Sequence, residues 1–128
     1  MMRDMLSMLA QRTEEDRREM LSEMLDMLYS MPDERAQMMM SHMLEAMTAL
    51  PQDQVERLTE SRLSVLAGYP SRKRDWLMQQ HVASLQRLPE GARVRDMQAT
   101  QEAATQLPEE ERRVVREAMA HIQSRSAA

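Results

Sequence analysis

The sequence predicts an all-α fold built from tandem 19-residue repeats, each a single amphipathic helix, and three observations carry that expectation. Pro32, Pro51, Pro70, Pro89 and Pro108 stand 19 residues apart, a regularity that marks a repeat architecture. Between them, apolar residues recur at helical rather than alternating spacing. Strand formers are scarce, with one Ile, six Val and no Phe in 128 residues, and no stretch alternates with period two.

Proline suits the first position of a helix, where its missing amide hydrogen would go unpaired, and it pushes the preceding residue out of the α region. One proline thus ends one helix and opens the next. Thr13, one period before Pro32, is itself a good helix-start residue, so helices are expected to start near residues 13, 32, 51, 70, 89 and 108. An apolar residue precedes each proline (Met31, Leu50, Tyr69, Leu88, Leu107). Acids follow in "TEED", "PDER", "PQDQ", "PEGA" and "PEEE" but not in "PSRK", and they complement the positive end of the helix dipole. Glu14 with Arg18, and Glu109 with Arg113, are spaced for i,i+4 pairing.

Counted from each repeat start, apolar residues favour offsets seven, eight, eleven, twelve, fifteen and eighteen, as in Met39, Met40, Met43, Leu44, Met47 and Leu50. At roughly 100° per residue these span about 120° of arc. Offsets five, nine, thirteen and sixteen (Gln37, Ser41, Glu45, Thr48) fall on the far side. Each repeat then holds a helix of about 14 to 16 residues and a turn of about 3 to 4. Turns that short make consecutive helices antiparallel hairpins, and two periods give a 38-residue unit of the size stacked in α-solenoids, or an up-and-down helical array. Residues 1–128 are expected to form one domain.

Two segments depart from the pattern. Residues 1–12 form a partial repeat, because "DMLSMLAQRT" (4–13) lies in register with "EMLDMLYSMP" (23–32). It is a short initial helix, a portion of a longer array, or a fragment completed by a partner. The helix from Pro89 carries Gly91 in its first turn, with Ala99, Ala103 and Ala104 where others have Leu or Met, and Thr100 and Gln101 on the expected inner face. It is expected to be the least stable helix or the one most dependent on its neighbours.

Composition excludes several function classes. Without Cys there is no disulfide framework, thiolate metal site or Cys nucleophile. No apolar run approaches the ~20 residues of a membrane span, and Arg3 and Asp4 interrupt any signal-peptide core, so the expectation is cytoplasmic. Net charge is −4, and no matching basic column recurs along the repeats, which argues against nucleic acid. No GxSxG, Walker, HExxH or EF-hand motif is present. Neither an enzymatic activity nor a resident cofactor is expected.

Sixteen methionines, thirteen of them within residues 1–47, are the main anomaly. Met20, Met24, Met27 and Met31 form one stripe, and Met39, Met43 and Met47 another. Core packing is the simplest reading. Yet flexible Met specifies a core poorly, Met38 is apolar on a side that should be polar, and Met2, Met5 and Met8 lie on a partial helix that cannot enclose its own face. These features point to a non-enzymatic protein–protein interaction or scaffold module. Met20, Met24, Met38, Met39, Met43 and Met47 would dock a hydrophobic helix or another subunit. Arg72, Lys73 and Arg74 in "SRKRDW" oppose the helix dipole and would supply an electrostatic contact to an acidic partner. Trp76 beside them is expected to anchor the core, the other reading being a face on which a base could stack.

The alternative is a soft-metal site, in which Met38, His42 and Met43 bind Cu(I). Haem held by His42 or His81 and a facing Met is a weaker variant, since no c-type attachment motif is present. His81 falls on the inner face in line with Met24 and Met43, and His121 on the solvated side.

Overall fold

The structure is a computed structural model that describes residues 2–127. Among the described residues it contains seven helices and no strand: α1 (Met2–Ala10), α2 (Glu14–Tyr29), α3 (Asp33–Thr48), α4 (Gln52–Ala67), α5 (Ser71–Leu85), α6 (Glu90–Gln106) and α7 (Glu109–Ala127). The all-α repeat array is as expected, and a helix starts one residue after each proline of the 19-residue series.

The prolines occupy the N-cap rather than the first helical position. Pro32 has φ −59° and ψ 149°, and Pro51, Pro70 and Pro89 match it closely. Extended ψ turns each proline carbonyl to accept the first intrahelical bond, as in Ala36 N–H to Pro32 at 2.9 Å and Arg112 N–H to Pro108 at 2.9 Å. Thr13 is capped alike at ψ 158° and adds its hydroxyl, which accepts from the Asp16 amide at 3.2 Å. Arg18 pairs with Glu14 at 2.8 Å as expected, but Arg113 takes Glu110 at 2.6 Å instead of Glu109.

Short turns make consecutive helices antiparallel, yet each helix packs more extensively on the helices two and three positions away: α4 on α2, α6, α1 and α7, and α3 on α5, α1 and α6. Every interior helix therefore has one flank toward earlier helices and another toward later ones. N-terminal helices bury the later-facing flank, as in Leu21, Leu25 and Leu28 of α2 at offsets eight, twelve and fifteen. C-terminal helices bury the other, as in Val115, Ala118 and Ile122 of α7 at offsets seven, ten and fourteen. Central α4 is buried on both, from Val55 to Leu66. Thr48, expected on the far side, is buried because α6 covers that flank, and its hydroxyl returns to the Leu44 carbonyl at 2.8 Å.

A recurring polar clasp ties the ends of α1, α2 and α3 to the helix three positions onward. Arg57 of α4 donates to the Ala10 carbonyl at the end of α1 (2.9 Å), and Arg95 of α6, one hairpin later, donates to the carbonyls of Thr48 and Leu50 at the end of α3. Cationic side chains there satisfy orphan carbonyls and complement the dipole. Lys73 of α5 reaches Asp26 near the end of α2, lies 4.0 Å from the Tyr69 ring centroid, and has Ser22 to Tyr69 (3.1 Å) beside it. Trp76 packs edge-on against Tyr29 at 5.4 Å and donates to Asp33 at 3.2 Å. In α6, Ala99 and Ala103 are fully enclosed, since small side chains admit close approach to α4, while Gln101 of the expected inner face is exposed.

Candidate functional site

The methionines divide by position along the array. Leucines hold the centre of α2, while Met24 and Met31 are half-buried beside them and Met20 and Met27 are exposed. In α3, Met40 and Met47 are buried, Met39 and Met43 half-buried, and Met38 exposed. The predicted docking set is thus split: Met24, Met43 and Met47 face inward, Met39 packs against the core, and Met20 and Met38 face outward. Met38 and His42 are exposed while Met43 turns inward, so the three proposed soft-metal ligands do not converge.

The exposed methionines of α1 to α3 follow a rule that the repeat makes visible. Met5, Met8, Met20, Met27 and Met38 are all exposed, at 44%, 61%, 40%, 46% and 53%. The residues 38 positions later are Met43, Ala46, Leu58, Val65 and Trp76, and each is buried or half-buried. These five methionines therefore occupy repeat positions that later helices cover, on α1 to α3, for which the described residues hold no helix three positions earlier. Met38 stands where Trp76 grips the end of α2, which accounts for an apolar residue on a side that the helical pattern marks as polar.

Elsewhere the inner faces leave an apolar cavity of about 310 Å³, lined from Leu6 on α1 to Ile122 on α7. Offset eleven lines it in every helix from α2 to α7: Met24, Met43, Arg62, His81, Thr100 and Met119. Three consecutive members of that otherwise thioether series are polar, and they meet Asp96. Arg62 donates to His81 Nδ1 at 3.0 Å, and His81 Nε2–H donates to Asp96 Oδ2 at 2.9 Å. Asp96 is 1% exposed, and its Oδ1 has no hydrogen-bond partner; Thr100 Oγ1 is likewise buried and unpaired.

Burial, and then the Arg62 charge, hold His81 below the ordinary imidazole range, against the pull of Asp96. Burial also lowers Arg62, opposed by Asp96, but a guanidinium stays charged. Desolvation is the largest influence on Asp96 and pushes it up, yet the His81 hydrogen bond and the attraction of the His81 N–H dipole and the Arg62 charge together hold its carboxyl below the usual value. The cluster is an ion pair bridged by a neutral imidazole, with its charges balanced.

Sequence reasoning reached His81 but missed Arg62 and Asp96. The signal lay at offset seven, where Met20, Met39, Leu58, Leu77 and Val115 are joined by an aspartate. Of the predicted basic contact, Lys73 is engaged by Asp26 and Arg74 by the Tyr69 carbonyl at 2.8 Å, while Arg72 is exposed. The Lys73–Asp26 clasp explains how cations are tolerated at that helix start. Trp76 is half-buried against the core, and His121 is exposed.

Among the described residues, no group of three or more His, Asp or Glu side chains is arranged to hold a metal ion, and no helix is long and apolar enough to cross a membrane. Comparison with protein-family models, curated proteins and solved structures finds no match, so the functional reading rests on the residues themselves.

Proposed function

We propose that this chain is a non-enzymatic protein–protein interaction module whose N-terminal, Met-rich edge docks a hydrophobic helix, supplied by a protein partner or by a second copy. One observation carries the reading: five exposed methionines on α1 to α3 stand at positions that are covered in the next hairpin. Flexible thioether side chains adapt to varied apolar surfaces, and an amphipathic helix laid across Met8, Met20 and Met27 would fill the place of an earlier repeat. The opposite edge is mixed, with Gln101, Arg116 and Gln123 where Leu63, Met78 and Leu85 stand one hairpin earlier, beside exposed Val94 and Met97. The two edges are thus unlike, so self-association would pair like edge with like edge about a two-fold axis instead of extending head to tail.

Sedimentation velocity on the chain and on a Met20→Glu, Met27→Glu variant tests this, together with photo-crosslinkers at positions 20 and 27 mapped by mass spectrometry. The reading expects crosslinks to an apolar helical segment, of a partner or of the same edge of a second copy, and their loss in the charged variant with helicity retained. A chain that stays monomeric and yields no crosslinked helical segment overturns it.

A further inference from the structure

We infer that the central cavity is a binding site for a small, neutral, lipophilic molecule with a single hydroxyl head group, an aliphatic alcohol in chemical class, with Asp96 and Thr100 recognising the hydroxyl. The inference is independent of edge docking, since its recognising residues lie on α6 and the docking methionines on α1 to α3. A volume of about 310 Å³ lies at the lower end of small-ligand sites. The lining is mostly Leu and Met, so most of an occupant must be apolar. Its exposed lining residues, Val82, Met97, Gln101 and Gln123, mark a mouth among α5, α6 and α7.

The head group follows from the polar cluster. Asp96 and Thr100 lie one turn apart on α6, both line the cavity, and each has a buried oxygen without a partner. A hydroxyl satisfies both, donating to Asp96 Oδ1 and accepting from Thr100 Oγ1–H. Charge excludes the nearest competitors. Arg62 is the one cation facing Asp96, through His81, and although its buried Nε has a hydrogen to offer, a carboxylate would set two anions against that single charge, while an ammonium would leave uncompensated positive charge. A plain alkane would leave both oxygens unpaired.

The test uses the full chain with ¹³C-methyl methionine, titrated separately with decanol, decane and decanoate. Decanol is expected to give saturable shifts of Met43, Met47, Met78 and Met119, which line the cavity, with Met8, Met20 and Met38 unmoved. Decane and decanoate should bind at least about tenfold more weakly. Thr100→Val keeps shape and should weaken decanol about tenfold while leaving decane unchanged; Asp96→Asn should do the same if it folds, and the Thr100 variant decides alone if it does not. The inference is overturned if decanol gives no saturable shift, if shifts are confined to the edge methionines, if decanoate binds as tightly as decanol, or if Thr100→Val binds decanol like the parent.

Discussion

Replacing Arg95 with Met keeps the aliphatic stem and deletes the guanidinium that holds the end of α3. That group donates to two main-chain carbonyls, of Thr48 and of Leu50 (2.6 Å), and to Gln52 Oε1 at 3.3 Å. Charge-assisted hydrogen bonds contribute about 1.5–3 kcal/mol each, and the cation adds up to about 1 kcal/mol against the helix dipole. Arg95 is half-buried, so water recovers part of the loss, and the net destabilisation should be about 3 kcal/mol. Arg57 occupies the same place one hairpin earlier but makes one such carbonyl bond, to Ala10 at 2.9 Å, beside an exposed pairing with Asp53 at 3.5 Å. Arg57→Met should therefore cost about 1 kcal/mol. Urea unfolding followed by circular dichroism at 222 nm gives both values, with unchanged m-values as the check on the denatured state. Equal losses in the two variants, or an Arg95 variant within about 0.5 kcal/mol of the parent, would refute the idea that these arginines act by closing helix ends.

Leu28→Ala, at a fully enclosed position, should cost about 2–5 kcal/mol, whereas Met27→Gln next to it should stay within about 0.5 kcal/mol in the same urea assay. Ala103→Leu should destabilise by about 1–3 kcal/mol through overpacking against α4; a gain in stability would mean that the alanines mark a thin core and not a close approach. Because His81 folds with a depressed pKa, the unfolded chain binds more protons below the ordinary value of 6.5. Stability should therefore be full above that pH and fall as pH drops toward the folded value, with a slope approaching about 1.4 kcal/mol per pH unit. Asp96, also lowered, adds a loss as pH falls below 3.8, and His81→Gln should flatten the upper window in urea midpoints measured from pH 8 to pH 4.

Much of the architecture is legible in the sequence because a proline acts locally. Whatever the tertiary context, Pro51 cannot donate an amide hydrogen, and Leu50 before it is driven from the α region, so the breaks between helices could be placed within a residue. Which face is covered is a different kind of fact. Leu58 and Met20 share a repeat position, yet one is enclosed and the other open, because burial depends on how many helices come before and after. Periodicity averages over repeats and cannot see that end effect. Asp96 hides for a related reason: an acid in an apolar position reads as a flaw in one helix until Arg62 and His81, from two others, are seen beside it. Lys73 looked available for a partner because Asp26, 47 residues away, becomes its neighbour only in the folded array.

The clasps between a helix end and the third helix onward have a consequence for assembly. On a ribosome, α1 emerges before α4, so its final carbonyls acquire Arg57 only after α4 has left the exit tunnel, and the end of α3 waits in the same way for α6. Four consecutive helices are therefore the shortest span that closes a clasp, and one isolated hairpin, which closes none, should remain unfolded in water. Cooperativity in such a chain reaches past the nearest neighbour, so nascent fragments would acquire protease resistance in a jump once the fourth rod is complete, not in even increments.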